Sequence, residues 1–103
     1  MRNYEYEKNN GNTGWVKYLY IAEVAKWGKQ AQQIMATEEM AELTKEISKN
    51  IRGYDNLDEI AEEIADVEIM LEQLAGIHGL EEKVENWKKK KLKRLDKVLE
   101  EEE

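Results

Sequence analysis

Two runs of carboxylates carry the chemistry this sequence offers. Thr37-Glu38-Glu39-Met40-Ala41-Glu42-Leu43 and Glu62-Glu63-Ile64-Ala65-Asp66-Val67 each contain an acidic pair at i, i+3: Glu39 with Glu42, and Glu63 with Asp66. On a helix such residues are neighbours on one face. Like charges held that close repel, so each pair costs local stability unless a cation lies between its members. One such pair is ordinary in an acidic chain. Two in matching phase ask for a reason.

At roughly 100° per residue, the first run sits beside an apolar seam of Ala36, Met40, Leu43 and Ile47. One flank of that seam reads Gln32, Met35, Glu39, Glu42, Glu46. The second run sits beside a seam of Leu57, Ile60, Ile64 and Leu71, with Val67 just off centre and a flank of Glu59, Glu63, Asp66, Met70, Gln73. Folded as an antiparallel hairpin, one register matches the flanks by type. Glu39 then meets Asp66, Glu42 meets Glu63, Met35 meets Met70, Glu46 meets Glu59, and Gln32 meets Gln73. A turn centred on Tyr54 or Asp55 favours a register about one helical turn away, so the choice between the two stays open. In the matched register four carboxylates gather beside the seam.

Oxygen-only ligands, with no His or Cys nearby, suit a hard divalent cation such as Mg²⁺, with Mn²⁺ as a substitute. Zinc and copper prefer nitrogen or sulfur. A di-iron site wants Glu-x-x-His motifs, and the sequence has none. Mg²⁺ held by protein carboxylates commonly shares its coordination with substrate phosphates. The competing reading is an ordinary solvated acidic face. From spacing alone the two stand level.

The elements that must position these residues are helices. The 103 residues suffice for one domain and not two. There is no proline, and the Glu, Lys, Leu and Ala content favours an all-α fold. We expect a four-helix bundle-like domain over 15–103, with helices at about 15–27, 29–52, 56–77 and 80–100. Residues 1–14, centred on Asn9-Asn10-Gly11-Asn12, lack apolar periodicity and read as an irregular lead-in. Gly28 breaks the first helix from the second, Gly53 ends the second, and Asp55 or Asn56 caps the third. Trp27, beside Gly28, reads as a core residue or as a ring for stacking a ligand. His78, the only histidine, reads as a dipole partner or surface group at a helix end. The fourth helix carries Val84, Trp87, Leu95 and Val98 on one face and the run Lys88-Lys89-Lys90-Lys91-Leu92-Lys93-Arg94. Most of that run reads as a solvated face. Lys91 and Arg94 border the apolar seam and are singled out as candidate phosphate contacts.

The absence of cysteine excludes a disulfide framework and thiolate chemistry and fits a reducing cytoplasm. No apolar run reaches the length of a membrane span or a signal-peptide core. A net charge of −7 disfavours duplex nucleic acid as the main partner. We therefore expect a soluble, cytoplasmic chain with no membrane partner.

The ordered series Trp27-Gly28-x-x-x-Gln32, Glu38-Glu39-x-x-Glu42-Leu43, Glu63-x-x-Asp66-Val67 and Lys91-Leu92-x-Arg94-Leu95 resembles the MazG-like all-α nucleoside triphosphate pyrophosphohydrolases over roughly residues 16–98. The resemblance implies Mg²⁺-dependent hydrolysis of a nucleoside triphosphate to monophosphate and pyrophosphate. It implies that Glu39, Glu42, Glu63 and Asp66 hold metal and that Glu38 holds or deprotonates the attacking water. Gln32 then faces the nucleotide beside Trp27, and Lys91 and Arg94 bind phosphate. Assembly as a homodimer or homotetramer is implied as well, and the surplus apolar surface expected of Tyr20, Trp27, Ile51 and Met70 points the same way. The contrasting expectation is a non-catalytic helical interaction module on the same fold. A nucleotide house-cleaning or alarmone-directed enzyme is a third, and generic side chains do not separate it from the first.

Overall fold

The computed structural model describes residues 13–101. The lead-in read over 1–14 lies outside them except for Thr13 and Gly14, which are helical, and so does the end of the terminal acidic run at 102–103. Four helices follow one another: α1 (Thr13–Trp27), α2 (Lys29–Ile51), α3 (Leu57–His78) and α4 (Glu81–Glu101). Every boundary falls within two residues of the sequence expectation. The fold is all-α and bundle-like, with no strand among the described residues. No described helix is long and apolar enough to cross a membrane.

The breaks have local causes. Gly28 has φ 92°, a conformation that L side chains rarely adopt, so the chain redirects there within one residue. Its N–H still donates to the Val24 carbonyl at 2.8 Å, and its own carbonyl accepts from Gln32 N at 3.2 Å. Gly79 ends α3 in the left-handed region at φ 63°, while Leu80 N donates back to Ala75 O at 2.8 Å. Asn56 occupies the cap position of α3 without capping it through its side chain. Its amide turns to α2 instead. Nδ2 donates to Glu46 O and to Glu46 Oε1, both at 2.9 Å, and Asn50 Nδ2 donates to Asn56 Oδ1 at 3.3 Å.

Packing is concentrated in the α2–α3 hairpin, along a line the sequence did not predict. The line of closest burial runs through 32, 36, 39, 43, 46 and 50 on α2 and through 56, 60, 63, 67, 70, 74 and 77 opposite, with buried Gln73 and half-buried Gln33, Lys49, Asp66 and Ala75 beside it. This alternation of fours and threes is the seam of two helices crossing at a shallow angle. It is rotated by roughly 50–70°, at 100° per residue, from the expected seam toward the acidic flank. Glu39, Glu46 and Glu63 thus stand in the contact line, while Met40, Ile47, Ile64 and Leu71 are left exposed beside it. The physical reason is width. Each helix has an apolar arc broader than one partner can cover.

α1 lies against the last turns of α3. Tyr20 donates its hydroxyl to Glu72 Oε2 at 3.3 Å, and Gln73 Nε2 donates to Tyr20 O at 3.4 Å and to Glu23 Oε1 at 3.3 Å. α4 buries no residue. The chain accordingly has a radius of gyration of 17.0 Å and extents of 54 × 35 × 32 Å, against about 13 Å for a compact domain of this size.

Candidate metal centre

α2 and α3 are tied together at the turn end of the seam, where the Asn56 amide clasps Glu46. At the open end Gln32 and Gln73 are both enclosed, each 2 % exposed. Between these two ends the helix repeat brings Glu39 of α2 to Glu63 and Asp66 of α3. One oxygen from each of the three carboxylates lies within 4.8 Å of the other two, and all three side chains are half-buried. Glu39 and Asp66 are hydrogen-bond partners once one of them holds a proton. That is the pairing of the matched register, so the register a helical turn away is excluded.

The charges answer as an unneutralised cluster must. Burial raises the Glu39 pKa above the ordinary carboxylate value, helped by the charge of Asp66 and its hydrogen bond, then by Glu42 and Glu38. Burial also raises Glu63, followed by the charges of Asp66, Glu39, Glu42 and Glu62. Glu63 Oε2 is buried with no hydrogen-bond partner. A buried acceptor left unmade is costly, and a cation is one ligand that satisfies it. The donor set fits a hard divalent ion. It is oxygen only, and oxygens around one such ion at roughly 2.1–2.4 Å lie up to about 4–5 Å apart.

Glu42 is exposed and falls outside the group of three, though its charge acts on both glutamates. Glu46, expected opposite Glu59, is buried and belongs to the clasp. The Asn56 hydrogen bond lowers its pKa, assisted by the charge of Lys49, whose Nζ is 3.6 Å from Oε1. Periodicity could not distinguish this glutamate from those of the cluster, because the distinction lies in which neighbour the turn supplies.

The remaining candidates are spread out. Glu38 is exposed beside Glu39. Gln32 is enclosed in the contact line, with Oε1 buried and unpartnered, rather than presented at the surface. Trp27 is 56 % exposed and so is not a core residue; Lys26 Nζ stands 4.8 Å from its ring centroid. Lys91 and Arg94 lie on α4 and, among the described residues, reach none of the hairpin carboxylates. His78 is exposed, as expected of a helix-end group, and its Nε2 lies 2.9 Å from Gln33 Oε1. The sequence reading missed a cleft of about 530 Å³ between α1 and the end of α3. Tyr20, Ile21, Val24 and Ile77 form apolar walls, with Lys17 and Lys29 as cations and Glu72 and Glu81 as carboxylates on the same lining. The apolar positions of α1 were the only signal for it, and they do not say what they face.

The fold and site define an all-α protein with an oxygen-only acidic centre at the seam of a helical hairpin. No family model, no characterised protein and no solved structure matches the chain.

Proposed function

We propose that the protein is a Mg²⁺-dependent nucleoside triphosphate pyrophosphohydrolase of the MazG-like kind, with Mn²⁺ as an alternative ion, acting in the cytoplasm as a homo-oligomer. The observation that carries this reading is the convergence of Glu39, Glu63 and Asp66 from two helices, with oxygens within 4.8 Å of one another. When bound, the ion would neutralise phosphate charge and lower the pKa of a bound water. The chain's own residues have the other tasks. Glu39, Glu63 and Asp66 hold the ion, with Glu42 adjoining them. Glu38, exposed next to Glu39, holds or deprotonates the attacking water. Gln32 is enclosed in the seam, with Oε1 buried and unpartnered.

A triphosphate also needs a place for its base and cations for its leaving group. The cleft begins at Glu72, six residues beyond Asp66 and about 9 Å along α3, and its apolar walls suit a nucleobase. Trp27 offers a second exposed ring. Charge developing on departing pyrophosphate calls for cationic donors. The resemblance names Lys91 and Arg94, and the cleft adds Lys17 and Lys29.

The exposure of α4, with Lys91 and Arg94 away from the carboxylates of their own chain, favours a second reading as a non-catalytic interaction module. A nucleotide panel with Mg²⁺ separates the two. The enzyme reading expects monophosphate and pyrophosphate from at least one triphosphate, and no diphosphate. Absence of turnover across canonical and modified triphosphates, with the ion nonetheless bound, would establish the module.

A further inference from the structure

We propose that the cleft between α1 and the end of α3 selects bases bearing an exocyclic amino group, cytosine and adenine over uracil and hypoxanthine, through the carboxylates of Glu72 and Glu81. On the hydrolytic reading, on which this rests and to which it adds a substrate class, the base is the part of the triphosphate that needs an apolar cavity. The cleft has a volume of about 530 Å³, in the range of small-molecule sites. Its floor is Gly76, in the last turns of α3. Glycine within a helix is less stable than alanine, and packing does not demand it here. Beyond its own helix and chain neighbours, only Glu81 Oε2 stands within 4 Å of where a Cβ would sit, at 3.9 Å. A methyl group fits. What the glycine leaves is a flat surface that a planar ring can approach closely.

Two carboxylates border that floor. Glu72 precedes Gly76 by four residues and shares its helix face, and Tyr20 donates its hydroxyl to Glu72 Oε2 at 3.3 Å. Glu81, in the first turn of α4, reaches back to it. Among the described residues neither carboxylate forms an ion pair, so most of their lone pairs are open to a ligand. An ionised carboxylate only accepts hydrogen bonds. The amino groups of cytosine and adenine donate to it. Uracil and hypoxanthine present a carbonyl oxygen in the same place, and two acceptors face to face repel. Lys17 and Lys29 also line the cleft, and they would favour the carbonyl bases if they read the base edge. Neither reaches the floor as Glu81 does, which leaves them to ribose and phosphate. Both carboxylates are exposed, so the discrimination is on the order of tenfold, far below the roughly 10⁴ of an enclosed hydrogen-bonding site.

The test is kcat/KM with Mg²⁺ for two matched pairs, CTP against UTP and ATP against ITP. The expected result is a preference of about tenfold for the amino member of each pair. It should fall toward unity in Glu72→Gln and Glu81→Gln, because an amide offers a donor as well as an acceptor. Equal rates, or a preference for UTP and ITP, overturn the selection and leave the hydrolytic reading standing. If no triphosphate is turned over, that reading falls and the cleft is judged by binding alone. CMP and UMP are then titrated into ¹⁵N-labelled protein and followed by amide shifts. Movement of Gly76 and Ile77 at lower CMP than UMP concentration, lost in a Gly76→Leu variant of unchanged helical content by circular dichroism, supports the assignment. Shifts elsewhere, equal shifts, or none refute it.

Discussion

The α2–α3 hairpin and α4 are both amphipathic and end in opposite states. Both are rich in Glu, α4 alone is rich in Lys, and α4 has the more clearly segregated apolar side. Yet the hairpin packs, and α4 buries no residue. The hairpin encloses polar groups that a stability-driven design would exclude: Gln32, Gln73, Glu46 and, half-buried, the three carboxylates. Amphipathicity shows that a helix requires a partner and leaves open which one. Buried polarity, held by a clasp at one end and an enclosed glutamine pair at the other, marks where the fold accepts a cost. Such places are where function is expected.

The largest expected effect breaks the hairpin's side of this contrast. Glu63→Gln should reduce Mg²⁺-dependent turnover by on the order of a hundredfold or more, because loss of even an outer partner of a metal site costs 10–100-fold. The same variant should lose the thermal stabilisation that Mg²⁺ gives the parent. Without metal it should be as stable as the parent or more so, since a repulsive charge is gone. A destabilised apo variant that still responds to Mg²⁺ would make Glu63 structural.

Next in size is the clasp. Asn56→Ala removes both hydrogen bonds to Glu46 and leaves that buried carboxylate short of a donor, a loss of about 1–3 kcal/mol by chemical denaturation. A change within experimental error would mean that the hairpin is held by its apolar contacts alone.

Titration gives a smaller effect with two signs. Glu39 and Glu63 have raised folded-state pKa values, so their contribution to stability is present below the unfolded carboxylate pKa and lost as pH rises through the folded values. Glu46 is lowered, so its contribution is present above the unfolded pKa and lost as pH falls through the folded one. Thermal melts of the metal-free protein from pH 7 down toward pH 4 should therefore show Glu63→Gln gaining less than the parent on acidification. Asn56→Ala should differ from the parent most at the neutral end. Identical profiles for all three proteins would contradict the assigned environments.

The smallest effect is expected on α4. Arg94→Ala should lower turnover by less than Glu63→Gln, and Lys89→Ala should leave it close to normal. An Arg94→Ala loss as deep as that of a metal ligand would mean that α4 reaches the carboxylate centre in the working assembly.

Much of this was legible in the sequence because helix periodicity and punctuation are local. Gly28 and Gly53 placed two of the breaks, and the i, i+3 acids named Glu39, Glu63 and Asp66 before any geometry, together with Glu42, which the structure leaves outside the group. The rest depended on neighbours that periodicity does not see. The seam rotated toward the acids because each apolar arc is wider than one partner covers, and periodicity does not choose which part of it is covered. Glu46, expected opposite Glu59, was claimed by the Asn56 that the turn delivers to it, and Trp27 stayed exposed because none of the described residues covers it. Neither the cleft nor the isolation of α4 could be read from one helix at a time, since each is a relation between helices.

The central claim, a divalent-cation centre at Glu39, Glu63 and Asp66, is tested most directly by Mn²⁺ titration followed by electron paramagnetic resonance. Parent and Glu63→Gln proteins are compared without nucleotide, so the result does not depend on finding the substrate. The account predicts saturable Mn²⁺ binding by the parent, displaced by excess Mg²⁺ and abolished in Glu63→Gln. Equal binding by the two proteins, or none by the parent, would contradict it.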